Sequence, residues 1–271
     1  MGTTLSASGH SSGMSLELMN VEQPDVVRAA HAAYLDAGVD ILETNTFQGS
    51  RSALERHGLG ERTAELNRAA ARLAKDVAGG KAFVAGSIGP TGRVLEPYGD
   101  YEEDAARAAF EEQAQALTDG GVDLFIIETF TAVEEVVLAV RAASATGLPV
   151  AASMSFDPNG RTAFGVLPAR AAEAMSDAGA VVVGANCGTV SPAEMVGILK
   201  AFRAVTALPL IAQPNAGKPE RSAAGVRFPA SPDEVAASAP AFKEQGATVI
   251  GGCCGTTPEH IRAIVKRLRG V

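Results

Sequence analysis

Three cysteines are the residues of this chain whose type and spacing most clearly suggest chemistry. Cys187 stands in the string Gly-Ala-Asn-Cys-Gly, and Cys253 and Cys254 are adjacent in the string Gly-Gly-Cys-Cys-Gly-Thr. Both strings follow short apolar runs of the kind that form strands buried on both faces. Because the carboxyl ends of parallel strands meet at one edge of a sheet, we expect the three sulfurs to converge there.

The adjacent cysteines require an irregular backbone, because neighbouring side chains of a regular strand point to opposite faces. Gly251, Gly252 and Gly255 permit this departure, since glycine adopts conformations that other residues avoid. Three thiolates with one open position are typical of a catalytic zinc site. The spacing alone leaves a second interpretation open, in which the cysteines are small buried apolar residues. The flanking glycines and the strand-end positions favour the metal.

The composition excludes several classes of protein. The 271 residues are 46% hydrophobic and 20% charged, and 23 Lys and Arg against 31 Asp and Glu give a formal net charge of −8. This acidic balance argues against a general nucleic-acid binder, and the longest apolar runs are far too short to span a membrane. The beginning of the chain lacks the pattern of a signal peptide. Three cysteines are too few for a disulfide framework, so we expect a cytoplasmic protein.

A repeated strand–helix pattern organises the chain. Short β-branched runs are followed by turn residues and then by apolar residues at helical spacing. Ser191 and Ser231 each precede a proline and stand three residues before a glutamate, which predicts helix N-termini with capping boxes. Seven strands are predicted, at residues 39–47, 82–88, 123–130, 149–156, 180–185, 209–213 and 248–252. Since no linker-like segment divides them, residues 1–271 are predicted to form one domain.

Alternating strands and helices predict an α/β fold with a parallel sheet. The length is typical of a (β/α)8 TIM-type barrel, but only seven strands are found, and the first strand of a barrel would have to precede Met1. We therefore expect such a barrel with its first strand missing from this chain. Either the chain starts late in its own gene, or residues 1–20 are irregular and the barrel is incomplete. An open doubly wound sheet is the alternative, although no GxGxxG turn supports it.

Several strings together resemble the homocysteine S-methyltransferase family, and they occur in the family's order. The resemblance is strongest for the homocysteine-binding barrel of the cobalamin-dependent methionine synthases. It implies a (β/α)8 barrel with one zinc ion held by Cys187, Cys253 and Cys254. The family's Asp-Gly segment at the end of the first strand is absent from this chain. The strings are LETNTF at 42–47, GSIGPTG at 86–92, IETF at 127–130, PNAGKP at 214–219 and GGCCGTTPEHI at 251–261.

The resemblance implies methyl transfer to the thiol of homocysteine, giving methionine. A free thiol has a pKa of about 8.5 and is a poor nucleophile until it ionises, and a bound zinc ion deprotonates a coordinated thiol. With three cysteine thiolates and the substrate thiolate, the zinc centre is negatively charged and a weak Lewis acid. The substrate sulfur is therefore expected to keep its nucleophilicity and to attack the donor methyl group.

The amino-acid end of the substrate needs partners for an ammonium and a carboxylate. We expect Glu128 to bind the ammonium, because the family places a substrate-binding glutamate here; the alternative is a helix N-terminal residue, where negative charge is also favoured. The backbone N–H groups of Gly2 and Thr3 are expected to receive the carboxylate. Asn215 is expected to contact the substrate or to tie loops around the metal. Glu43, at the end of another predicted strand, is interpreted as a structural hydrogen-bonding residue.

The methyl donor is the least determined part of this prediction. Betaine is disfavoured, because its recognition by an aromatic cage favours Trp, and the chain has no Trp and three Tyr. S-methylmethionine or a separate methylated corrinoid protein is the expected donor. The missing first strand supports an alternative, in which the chain is a non-catalytic or truncated module that binds zinc and homocysteine within a multi-protein system.

Overall fold

A computed structural model describes residues 1–7, 9, 15–222 and 225–270 of the chain. Residues 8 and 10–14, which belong to the stretch considered irregular, lie outside the described residues. Within that stretch, residues Gly2–Ala7 form a helix, α1. This part of the irregular alternative is therefore wrong, because the first residues have regular structure.

Seven parallel strands form one sheet in chain order, and a short antiparallel hairpin lies apart from it. All seven predicted strands are present, although most are shorter than predicted, and the hairpin was not predicted. The strands of the sheet are β1 Ile41–Glu43, β2 Phe83–Ile88, β3 Leu124–Phe130, β4 Val150–Met154, β5 Val182–Asn186, β6 Leu210–Gln213 and β9 Ala247–Ile250, and the hairpin is β7 Glu220–Ser222 with β8 Gly225–Arg227.

Helices connect the strands, as the repeated pattern predicts. The capping boxes at Ser191 and Ser231 are confirmed, since each serine accepts a hydrogen bond from the backbone of the glutamate three residues later. The helices after α1 are α2 Met19–Glu22, α3 Pro24–Asp36, α4 Arg51–Glu55, α5 Thr63–Ala78, α6 Glu103–Gly120, α7 Val133–Ser144, α8 Pro168–Asp177, α9 Pro192–Arg203, α10 Pro232–Ala237, α11 Ala239–Glu244 and α12 Pro258–Arg269.

The sheet buries both of its faces, which explains the apolar runs in its strands. On β3, Phe125 and Ile127 belong to the large core between sheet and helices. Ile126 points to the other side and packs with Ala85, Ala151 and Ile211 from three other strands. This second cluster fills the inside of a curled sheet, an arrangement consistent with a TIM-type barrel.

The two outer strands of the sheet, β1 and β9, do not pair with each other in the described part of the chain. They face a common cavity of about 770 Å³, which α3 and α12 also line. His31 of α3 is fully buried at this cavity, and neither of its ring nitrogens has a hydrogen-bond partner among the described residues. Burial lowers the pKa of His31 to about 4. The curled sheet thus has seven strands and a gap between its ends.

Among the described residues, no helix has the length and apolar character needed to cross a membrane. This finding agrees with the absence of long apolar runs in the sequence.

Candidate metal centre and substrate site

The three cysteines meet at the carboxyl edge of the sheet, as predicted. Cys187 follows β5, and Cys253 and Cys254 follow β9, so the two groups lie on either side of β6. Their Sγ atoms all lie within 4.8 Å of one another, and those of Cys187 and Cys254 are 3.9 Å apart. Two stretches of the chain, 66 positions apart, thus bring three sulfur ligands together.

The backbone leaves strand geometry at both cysteine groups. Cys187 has a positive φ of 54°, and its N–H donates to the carbonyl of Gln213 at 3.0 Å. The last strand ends at Ile250, before the adjacent pair, and Gly255 has a φ of 78°. A Cβ atom at Gly252 would lie 2.4 Å from Thr256 Cγ2. The glycines therefore serve the irregular turn that the adjacent pair requires.

Polar side chains fix the two cysteine loops to each other. Asn215 Oδ1 accepts a hydrogen bond from the N–H of Cys254 at 3.0 Å, and its Nδ2 donates to the carbonyl of Gly188, also at 3.0 Å. Thr3 Oγ1 accepts from the N–H of Gly255 at 3.2 Å. Helix α1 and the loop after β6 therefore both support the turn that carries the adjacent cysteines.

The charges in this cluster suit a cation. Hydrogen bonds from Cys187 and Cys253 lower the pKa of the Cys254 thiol to about 3. Hydrogen bonds to Cys187 and Cys254 raise the pKa of the Cys253 thiol, and burial raises it further. The thiolate form of Cys254 is thus stabilised, whereas ionisation of Cys253 is disfavoured. All three thiols therefore ionise together only around a positive charge. Tetrahedral zinc with Zn–S bonds of about 2.3 Å separates its sulfurs by about 3.8 Å, and the Sγ atoms of Cys187 and Cys254, 3.9 Å apart, are close to this spacing.

Glu128, at the end of β3, lies near the cysteines and is 9% exposed. Ser87 Oγ donates to its Oε1 at 2.6 Å, and Asn186 Nδ2 lies 3.4 Å from its Oε2. Burial raises the pKa of Glu128 to about 8, and the neighbouring charge of Glu43 contributes. A cation bound next to Glu128 would stabilise the ionised form of its buried carboxyl group, so this environment favours the binding of a cation.

Glu128 points to the inner side of β3, as Ile126 does, and a bulge follows directly after it. The pairing register with β4 shifts between Ile127 and Phe130. Thr129, between them, has a φ of 69°, which is the left-handed region that non-glycine residues rarely adopt. The shift lets Phe130 pack in the core between sheet and helices while Glu128 stays on the inner side.

The comparison with known protein families decides the classification. The model of the homocysteine S-methyltransferase family matches residues 1–268. This chain belongs to that family. The resemblance seen in the sequence is therefore confirmed over nearly the whole chain.

The relatives of this homocysteine S-methyltransferase family member fall into two groups. Methionine synthases of Mycobacterium tuberculosis and Mycobacterium leprae are each 34% identical, over 268 and 261 residues. These matches cover 94% and 92% of this chain and 22% of each relative, so the chain spans about a fifth of their length. The metallated form of the Escherichia coli homocysteine methyltransferase MmuM is 26% identical, with a TM-score of 0.82, over 98% of this chain and 93% of that one.

The remaining predicted residues of this family member lie around the site. Glu43 accepts a hydrogen bond from Gln213 Nε2 at 2.5 Å, at the edge of the cavity between β1 and β9. Both polar ends of Asn215 are engaged with loop backbone, which leaves one amide hydrogen for a substrate.

The sequence analysis missed the contacts that orient these groups. Ser87 was not singled out, although it lies near the end of its strand as the cysteines do, and that position could have marked it as a candidate. Tyr34 lies on α3, and its hydroxyl donates to the carbonyl of Thr256 at 2.8 Å. A tyrosine on an apolar helix face carries no signal for such a contact, because its ring satisfies the same pattern.

Proposed function

We propose that this protein transfers a methyl group to the thiol of homocysteine, giving methionine, with zinc as its cofactor. The observation that carries the proposal is the cluster of three cysteine sulfurs within 4.8 Å of one another, at the same strand edge as buried Glu128. When bound, zinc would supply a coordination position at which the substrate thiol ionises near neutral pH. Cys187, Cys253 and Cys254 would hold it, and membership of the family supports the choice of substrate.

The protein's own residues bind the amino-acid end of the substrate in this proposal. Glu128 receives the ammonium, because a cation offsets the cost of ionising this buried carboxyl group. Ser87 holds one carboxylate oxygen of Glu128 at 2.6 Å and so limits its rotation. The thiol end of the substrate then points to the cysteines.

The substrate carboxylate is assigned to the N–H groups of Gly2 and Thr3. These groups open α1, and the first turn of a helix leaves its N–H groups without intrahelical acceptors. The side chain of Thr3 touches the cysteine turn through Gly255, so these donors lie beside the proposed metal. Asn215 holds the two loops together and offers its remaining amide hydrogen to the substrate.

We also propose that the fold is one domain, a (β/α)8 barrel whose first strand is missing from this chain. An extended residue in a sheet occupies roughly 160 Å³, since residues repeat every 3.3 Å, strands every 4.8 Å and packed layers every 10 Å. The cavity of about 770 Å³ between β1 and β9 therefore matches a strand of about five residues. A parallel strand at this position would pair with both of them.

The methyl donor proposed is S-methylmethionine or a methylated corrinoid protein. The chain matches about a fifth of two methionine synthases but nearly all of MmuM. These relatives are therefore compatible both with a reaction that needs a separate methyl-donor protein and with one that the chain performs alone on a small donor. Three free cysteines suit a reducing compartment, and we propose a cytoplasmic location on that ground.

The proposal is tested by metal analysis together with a donor screen. Purified protein should contain about one zinc per chain and form methionine from homocysteine with S-methylmethionine or methylcobalamin as donor, and betaine, the disfavoured donor, is the third compound of the screen. Cys254→Ala should lower both the zinc affinity and the rate more than about 100-fold. Wild-type protein stripped with a chelator and then reloaded is the control. Undiminished turnover by Cys254→Ala would overturn the zinc-dependent reaction.

A second candidate function is a non-catalytic module that binds zinc and homocysteine. The gap between β1 and β9 favours it, because a barrel with an open side is less rigid around its site. Calorimetry of homocysteine binding distinguishes the two functions. Tight zinc-dependent binding without methionine formation from any of the three donors would support the module.

A further inference from the structure

Asn186, the last residue of β5, contacts residues of both the substrate site and the metal site through its side-chain amide. It is 1% exposed. Its Oδ1 accepts hydrogen bonds from the backbone N–H of Thr129 at 2.8 Å and from Ser153 Oγ at 2.7 Å. Because the backbone N–H of Thr129 can only donate, the atom of the Asn186 amide that faces it must be the oxygen, and this fixes the orientation of the amide. Nδ2 then faces Thr129 Oγ1 at 2.7 Å, Glu128 Oε2 at 3.4 Å and Cys253 Sγ at 3.7 Å.

Two of these bonds hold a strained residue. Thr129 adopts a φ of 69°, which is costly for a residue with a branched Cβ. Asn186 binds both its backbone N–H and its hydroxyl, so the amide stabilises the bulge that directly follows Glu128. The same amide offers an N–H to Cys253, a proposed zinc ligand. One side chain therefore touches both the carboxylate assigned to the substrate ammonium and a sulfur assigned to the metal.

We propose that Asn186 is a positioning residue that couples the amino-acid site to the metal site; this inference rests on the proposed function. Through the bulge at Thr129 it fixes the backbone next to Glu128, and thereby the position of the carboxylate that receives the substrate ammonium. Through its N–H it withdraws negative charge from the Cys253 thiolate, so a bound metal would draw more charge from the substrate sulfur and favour the ionised form of the substrate thiol. A role in packing alone would change stability and leave substrate affinity and ligand charge unaltered.

The two roles are separable by substitution. Asn186→Ala removes both, and we expect the KM for homocysteine to rise about tenfold, the effect of one lost hydrogen bond to a charged group. Thr129→Gly in the Asn186→Ala background should bring the KM back to within about threefold of wild type, because glycine adopts a positive φ without a clamp. The sulfur-to-metal charge-transfer band of the cobalt-loaded protein should shift in Asn186→Ala and stay shifted in the double variant.

Controls make the outcome decisive. Asn159→Ala changes an exposed asparagine in the loop after β4 and should alter neither the KM nor the band. If Asn186→Ala does not fold, Asn186→Asp keeps the acceptor for Thr129 while losing the amide donor, and the band should still shift. A folded Asn186 variant with wild-type KM and wild-type band overturns the coupling. Wild-type protein that binds no metal or transfers no methyl group overturns the proposed function instead.

Discussion

Glu128 illustrates how burial prepares one residue for a charged ligand. Its carboxyl group lies inside the protein beside Ser87 and Asn186, and burial raises its pKa to about 8. At pH 7 most molecules therefore carry a protonated Glu128 until a cation arrives. Binding of the substrate ammonium would ionise the group, so the pH dependence of binding reports directly on this assignment.

We predict that homocysteine binding releases a proton from Glu128 below pH 8. The apparent affinity should rise with pH up to about 8 and then level, beyond the contribution of the substrate thiol itself. Glu128→Gln should weaken binding roughly 10- to 100-fold and release about one proton fewer at pH 7. Calorimetry in two buffers with different ionisation enthalpies measures the protons released. Equal proton release by wild type and Glu128→Gln would remove Glu128 from the ammonium site.

At the scale of the elements, the cysteine turn depends on its glycines. Gly255 has a φ of 78°, and a Cβ there would lie 2.3 Å from the Cβ of Phe228. The backbone N–H groups of this turn also donate hydrogen bonds to Thr3 and Asn215 on other elements. Its geometry is therefore determined by the whole carboxyl edge of the sheet rather than by β9 alone.

We predict that Gly255→Ala lowers the zinc affinity at least about tenfold and destabilises the fold by about 1–3 kcal/mol, because both the conformation and the space require glycine. Gly197→Ala is the matched control. Gly197 lies in α9, where an added Cβ meets nothing within 4 Å, so alanine should stabilise by about 0.5–1 kcal/mol. Urea unfolding and a competitive zinc titration measure both effects. A Gly255→Ala protein with wild-type zinc affinity would contradict this account of the turn.

The strands could be predicted from the sequence because a parallel sheet buried on both faces needs continuous apolar runs. The hairpin of β7 and β8 could not, since Glu220, Arg221 and residues 225–227 are exposed and the hairpin is mostly polar. The convergence of the cysteines followed from their positions at strand ends. The bulge at Thr129 did not, because its positive φ is stabilised by Asn186, 57 positions away in the chain.

At the scale of the whole molecule, the gap between β1 and β9 lowers the free energy of unfolding through the buried polar groups that line it. It leaves His31 buried with two unpartnered nitrogens, while Gln213 Oε1 is also buried without a hydrogen-bond partner among the described residues. Each such group costs about 1–3 kcal/mol in desolvation. An added strand that hydrogen-bonds to His31 would remove part of this cost, whereas an open gap leaves it in the folded protein.

The pH dependence of the free energy of unfolding therefore shows whether His31 lies buried without a hydrogen-bond partner at the gap. Its pKa is near 6.5 when unfolded and about 4 in the fold, because burial opposes the charge. The unfolded chain then binds a proton that the folded chain does not, so the free energy of unfolding falls as pH drops from 6.5 to 4. The loss is on the order of 3 kcal/mol over that range.

We predict that His31→Leu removes this acid sensitivity and, with the gap open, leaves stability at pH 7 unchanged or higher, because two unpartnered nitrogens are replaced by apolar atoms. Urea unfolding at pH 5 and pH 7 measures both effects, with His57→Gln as the control for an exposed histidine. A loss of more than about 1 kcal/mol at pH 7 would instead mean that His31 has a hydrogen-bond partner, as a strand filling the gap would provide. Wild-type acid sensitivity in His31→Leu would show that other groups control the response to pH.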